Sequence, residues 1–242
     1  MAKNVKELRK QVLDYMRSMS EIEWIAEEDV DLSVIRKPLY YTKGEKYYGT
    51  IYNTNEGVDL ETFAKHVVDG VFKGPFTKKE CPGNHCTSTI LISWRKFGDK
   101  NTAHWTVDMM PQCKTGILPL GNFSWNDDDT RTIDMVERTD ADTLYEAFAL
   151  MQEADAILYC FGPTGHARMI VENHVIRDEN GKINGDESYI ISIEQTSSFD
   201  KIAKEEKGIN TTWYVDHKYT YSTLREKNYV PVTVALFNED EE

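Results

Sequence analysis

The spacing of apolar residues changes partway along this chain. Val5, Leu8, Val12, Tyr15, Met16 and Met19 recur three or four residues apart, which predicts an amphipathic helix over 4–19. Leu60, Phe63, Ala64 and Val67 repeat that spacing and predict a helix over 58–71. Ile90, Leu91, Trp94 and Phe97 predict another over 86–97, and "DADTLYEAFALMQ" predicts a fourth over 140–152, opened by an aspartate. From residue 156 the pattern becomes β-branched and aromatic. Strands are predicted at 156–162, 166–176, 188–195, 211–221 and 230–237, with turn signals between them. "DENGK" (178–182) predicts a two-residue hairpin turn between the second and third. Helices first and strands later is an α+β order, with helices packed on a central antiparallel sheet. Residues 1–242 are read as a single domain, in which 1–39 form a helical and aromatic N-terminal cap.

Charge narrows the partners. The net charge is −13, which repels a phosphate backbone, so nucleic acid is not an expected partner. The acidic end, "NEDEE", reads as a solvated terminus. No run of about 18 apolar residues occurs, so no membrane span is expected. The N-terminus lacks the continuous apolar stretch of a signal peptide; the expectation is a cytoplasmic protein, or a secreted or cell-envelope one if a leader has been removed. Oligomeric state is left open.

Four cysteines (Cys81, Cys86, Cys113, Cys160) are too few to imply a disulfide framework. Cys81, His85 and Cys86 lack the second ligand pair of a zinc site, so no metal is expected. "DENGKINGDESY" has Ile183 where a calcium loop needs glycine. "WNDDDTRT" (125–132) reads as an acidic loop of solvated aspartates with room for weak cation binding. Neither phosphate-binding glycine pattern is present, so no nucleotide cofactor is expected.

The chemistry concentrates at "PGNHCTSTILISWRKF" (82–97). A turn-forming run, Pro82–Gly83–Asn84, delivers Cys86 to the first turn of an apolar helix. There the backbone N–H groups lack intrahelical partners and stabilise a thiolate. A cysteine nucleophile needs a base. Among six histidines, His166 follows "GPTG" and opens a strand, so it can face a cleft. The base needs an acceptor to orient it. The hairpin brings Glu194 and Gln195 near His166, and because neighbours on a strand face opposite sides only one of them can serve.

Taken in order, "YYGTIY" (47–52), "HCTSTILISW" (85–94), "ADAILYCFGPTGHARMIV" (154–171) and "IEQTSS" (193–198) resemble the NlpC/P60 superfamily of papain-like cysteine hydrolases. The resemblance implies a papain-like α+β fold, with Cys86 as nucleophile, His166 as base and Gln195 as the orienting third residue. Tyr48 or Tyr52 would match the tyrosine that lines the family's site, and His85 completes the expected substrate-binding set. The implied activity is a cysteine peptidase or amidase that cleaves an amide through a thioester acyl-enzyme, on small peptides such as those of bacterial peptidoglycan. The chain departs from the family in having His-Cys-Thr-Ser where Asp-Cys-Ser-Gly is usual, and in an inserted segment between tyrosine and nucleophile. A non-catalytic binding or scaffold protein on the same fold, or an acyltransferase or esterase using the same Cys–His pair, is the alternative.

Overall fold

The computed structural model describes residues 4–123 and 125–238. Helix α1 (Val5–Glu21) is capped by Asn4, whose side chain accepts from the Glu7 N–H at 3.1 Å. Short strands follow: β1 (Glu23–Ala26), β2 (Val30–Asp31), β3 (Tyr40–Tyr41) and β4 (Lys46–Tyr48). Helix α2 (Leu60–Ala64) precedes β5 (Val67–Val68) and β6 (Val71–Phe72), and then comes α3 (Cys86–Lys96). Two 3₁₀ turns, Thr106–Met109 and Pro111–Cys113, lead to β7 (Ile117–Pro119), α4 (Thr132–Arg138) and α5 (Ala141–Ala149). The C-terminal part holds β8 (Ala156–Phe161), β9 (Thr164–His174), β10 (Tyr189–Gln195), α6 (Lys201–Lys207), β11 (Trp213–Thr220), α7 (Tyr221–Glu226) and β12 (Val230–Val234).

The fold is α+β. Six strands form one antiparallel sheet in the order β11-β10-β9-β8-β12-β7. Helix α3 packs on β9 and β10, and α1 packs on α3. Val12, Met16 and Met19 from α1, Ile90 and Trp94 from α3, and Ile157, Met169 and Ile193 from the sheet share one core. Burying each such side chain contributes about 1.5–3 kcal/mol. The Trp94 indole also donates to the Ala154 carbonyl at 2.8 Å, which ties α3 to the entry of β8. A smaller mixed sheet, β4-β1-β6-β5, covers a second core of Trp24, Tyr41, Tyr47, Phe63 and Phe72. This second core takes residues from Trp24 to Cys81, whereas α1 belongs to the main one, so the packing does not divide at residue 39.

Several elements differ from the sequence expectation. The helix expected over 58–71 ends at Ala64. Asp69 and Gly70 take positive φ (50° and 75°) and turn β5 back onto β6, because Asp-Gly between two valine-containing pairs is a two-residue hairpin turn. Pro82–Asn84 is not a turn. It runs extended and buried beside residues 51–53, with Asn84 N–H on the Ile51 carbonyl and Asn53 N–H on the Asn84 carbonyl, each at 2.8 Å. The "DENGK" turn forms with a tight Asp178–Gly181 bend, but β10 resumes only at Tyr189, because Asn184 organises a second turn through the N–H groups of Asp186 and Glu187. In the acidic loop Asp129 is buried and paired with Arg138, and Thr132 starts α4. β12 is shorter than expected and passes into a 3₁₀ turn at Ala235–Phe237. Residues 239–242 of the acidic end lie outside the described residues. No helix among the described residues is long and apolar enough to cross a membrane.

Candidate active site

The segment that carries the thiol is held from both sides. The Asn84 side chain accepts from the Val58 N–H at 2.9 Å and donates to Thr50 Oγ1 at 3.2 Å. One residue on, His85 caps α3, and its backbone N–H donates to Ser88 Oγ at 2.9 Å. Cys86 is therefore the first helical residue, 5% exposed, at the floor of a cleft of about 400 Å³. Thr87 Oγ1 and Thr106 Oγ1 lie 2.7 Å apart, which fixes the start of α3 against the 3₁₀ turn over the sheet.

His166 projects from β9 into the same cleft. Gly165 before it shows why a glycine stands there. A Cβ at Gly165 would lie 2.6 Å from the Tyr159 carbonyl oxygen and would run into Thr106, the residue that locks α3. The glycine thus permits close approach, and no special φ is involved. Gly165→Ala is expected to lower stability by about 2 kcal/mol, measured by urea unfolding, because backbone and a packed threonine would have to give way.

The acceptor for His166 is Glu194. His166 Nε2 is hydrogen-bonded to Glu194 Oε2. The other carboxylate oxygen accepts from Arg168 Nε at 2.9 Å and from the Tyr219 hydroxyl at 2.7 Å. The Arg168 guanidinium lies over the rings of Tyr219 and Tyr229, 4.1 and 4.5 Å from their centroids. Glu194 is 1% exposed, and these partners satisfy its charge.

Gln195 does not serve. Its side chain points the other way and donates to the Thr50 carbonyl at 2.6 Å and to Thr212 Oγ1 at 3.3 Å. The cause is a bulge. Ile191 pairs with Glu172, but Ser192 pairs with Ile170, so Val171 is passed over. Continued past Ile193↔Met169, the shifted register sets Glu194 across from Arg168 and on the His166 face. Without the bulge Gln195 would have faced Arg168.

The electrostatics follow from these contacts. Burial alone would push the Cys86 thiol up. The charge and hydrogen bond of His166, helped by His85, more than reverse this and hold it well below the ordinary thiol range. Burial alone would lower His166, but the charge of Cys86 and then that of Glu194 raise it to about 9. Burial would raise Glu194, yet His166, Arg168 and Tyr219 hold it well below the ordinary carboxylate range. Since Nε2 is committed to Glu194, Nδ1 is the ring nitrogen left for the thiol. The other three cysteines move the opposite way. Burial pushes Cys81 up to about 12 and Cys160 to about 11, and it raises Cys113 as well.

The remaining expected residues separate. Tyr52 lines the cleft, and burial followed by the Cys86 charge raises its phenol. Tyr48 does not. It opens on a different cavity beside Trp213 and His217, because β4 pairs with β1 in the small sheet. His85 reaches the thiol but stacks on Trp105 (centroids 5.1 Å apart, planes 10° apart) and lines a neighbouring cavity. His66 is not helical; it bonds the Gly74 carbonyl at 2.7 Å. His217 pairs with Asp200 at 2.9 Å, away from the cleft. Arg168 and Tyr219 were missed by the sequence reading. Arg168 had a signal, since two residues after His166 on a strand means the same face.

No three His, Cys, Asp or Glu side chains converge as metal ligands among the described residues. No family model matches the sequence, and no curated protein or solved structure matches the chain.

Proposed function

We propose that the protein is a cysteine hydrolase of papain-like, NlpC/P60-like architecture that cleaves an amide bond through a thioester acyl-enzyme. One observation carries the reading: a low-pKa thiol at a helix N-terminus lies against a histidine whose far nitrogen is fixed by a buried, fully bonded glutamate. A structural cysteine needs neither the imidazole nor the glutamate behind it.

In the proposed cycle the Cys86 thiolate attacks the substrate carbonyl carbon. A C–S bond forms and the π pair moves onto oxygen. The Cys86 backbone N–H, in the first turn of α3, is available to the oxyanion. His166 then gives its proton to the leaving nitrogen as the C–N bond breaks, leaving a thioester. Water adds to the thioester carbonyl and passes a proton to His166, and the thiolate departs with the carboxylic acid as product. An amine acceptor in place of water makes the same intermediate an acyltransferase, and an ester substrate makes it an esterase. The small peptides of bacterial cell walls are the substrates to screen first.

The test is iodoacetamide labelling of the folded protein from pH 5 to pH 9, with each cysteine followed by mass spectrometry. Cys113 is the exposed cysteine among the four. Access alone would label it first. The proposed ion pair labels buried Cys86 first and keeps labelling it near pH 6, where an ordinary thiol with a pKa of about 8.5 is almost wholly protonated. Faster labelling of Cys113 across the range would overturn the reading.

A further inference from the structure

We infer that the cavity beside Tyr48 and Trp213 is a second binding site, for an organic ammonium ion carried on an apolar body. It lies on the far side of β11 from the Cys86 cleft and shares no lining residue with it, so the inference stands apart from the hydrolase reading.

The cavity holds about 750 Å³, within the range of small-molecule sites. It forms where the two sheets meet. The Tyr48 N–H donates to the Asn210 carbonyl at 2.9 Å, and Thr211 Oγ1 donates to the Tyr48 carbonyl at 2.8 Å, which joins β4 to the segment before β11. Trp213 forms the floor and is held there. A Cβ at Gly49, whose φ is +80°, would lie 2.3 Å from the Trp213 ring, and the indole N–H donates to the Thr50 carbonyl at 3.3 Å. Val215 continues the floor, while Tyr214 between them faces the Cys86 cleft, as strand alternation requires. The opposite wall is α6. That helix buries none of its own residues and is fixed by its caps, Asp200 and Gly208. It turns Ala203 and Ile202, which is 55% exposed, toward the cavity. An apolar ligand body would cover both this wall and the floor.

Charge selects the head group. The cations around the cavity are engaged. Arg17 pairs with Asp216, and Lys46 with Glu23. The Lys218 ammonium lies 3.7 Å from the centre of the Tyr189 ring. Lys207 stands in the last turn of α6, where it offsets the negative end of that helix. Among the carboxylates, Asp200 is shared by the Ile202 and Ala203 N–H groups and by His217. Glu21 and Glu206 are left, both exposed and both on the cavity wall. Neither has an ion-pair partner among the described residues. Glu21 is also the last residue of α1, a 17-residue helix with no basic residue in its last turn, so its charge adds to the negative end of the helix. An ammonium group answers that field, and aromatic surface beside it strengthens the attraction. A carboxylate in the same place would meet two bare carboxylates.

The experiment titrates three probes with one body into the isotope-labelled full chain at pH 7, followed by NMR. They are 2-(1-naphthyl)ethylamine, the neutral 2-(1-naphthyl)ethanol and the anionic 3-(1-naphthyl)propionate. The amine is expected to shift the Trp213 indole N–H and the Ile202 and Val215 methyl signals saturably, to bind about tenfold more tightly than the alcohol, and the acid to bind more weakly than either. Glu21→Gln with Glu206→Gln should bring the amine to the level of the alcohol and leave the alcohol unchanged; both residues are exposed, so the fold is not at risk. In the unaltered protein the preference should shrink as salt rises from 0.02 to 0.5 M, a readout that needs no variant. Equal affinity for amine and alcohol, a preference that survives the double substitution, or shifts centred on another cavity would overturn the site. Tighter binding of a lysine tripeptide than of the naphthyl amine would mean that the cavity serves a protein segment, and would overturn the small-ligand reading.

Discussion

Cys86→Ala is expected to reduce amide hydrolysis at least about 10³-fold while the fold persists. The loss follows from the proposed chemistry: without the sulfur there is no thioester, and the His166–Glu194 pair has nothing to activate. The fold should survive because only one sulfur atom is removed from a segment anchored elsewhere. Asn84 holds the strand before Cys86, and the Thr87–Thr106 contact holds the helix after it. The measurements are turnover on a panel of peptide amides and esters, and a urea transition for the variant. His166→Ala is the companion. Burial favours the neutral thiol, and His166 is the largest counterweight. Removing it should therefore move the half-point of Cys86 alkylation upward, toward the raised range of Cys81 and Cys160. With His166 in place, the reactive pair exists above the depressed thiol pKa and below about pH 9, where His166 loses its proton. Full turnover by Cys86→Ala, or an unmoved alkylation profile in His166→Ala, would overturn the mechanism.

Local signals foretold the parts of this site that local chemistry determines. The α3 start was legible because a thiol before an apolar 3.6-residue period can only be a helix entrance or a core filler. His166 was legible because Gly165 marks close backbone approach, although the partner it approaches, Thr106, lies 59 residues upstream. The β5–β6 hairpin was legible in principle: Asp69-Gly70 is a turn signal, and the helical spacing of Leu60 to Val67 obscured it. The choice between Glu194 and Gln195 was not. Both follow from one alternation, and a single unpaired residue, Val171, decides which of them faces the histidine. A bulge is set by the packing of several strands and leaves no mark in the strand it flips. Tyr48 failed for a similar reason. Its place in the small sheet depends on β1, and nothing near Tyr48 announces that pairing.

Glu194→Gln and Gln195→Ala are expected to separate chemistry from stability. Glutamine at 194 keeps one oxygen, which can serve the His166 ring or the Arg168–Tyr219 side but not both, and it removes the negative charge. That charge is part of what raises His166, so the alkaline limb of activity should move to lower pH and turnover should fall about 10²-fold. The same change strands the Arg168 cation between Tyr219 and Tyr229 without its counter-ion, at a cost of about 3 kcal/mol in stability. Gln195→Ala removes the bonds to the Thr50 carbonyl and Thr212, leaves that carbonyl with the longer Trp213 indole bond at 3.3 Å and opens a gap at a fully buried position, which costs about 2 kcal/mol. It touches neither His166 nor Cys86, so the pH profile of Cys86 alkylation should stay where it is. Both variants lower the urea midpoint; only Glu194→Gln moves the profile. The reverse pattern, with Gln195→Ala shifting the profile and Glu194→Gln leaving it fixed, would mean that β10 presents its other face to the histidine and that the bulge at Val171 is absent in solution. Denaturation and alkylation together therefore tell two adjacent residues apart, because the strand sends one into the cleft of Cys86 and His166 and the other into the seam with Thr50 and Thr212.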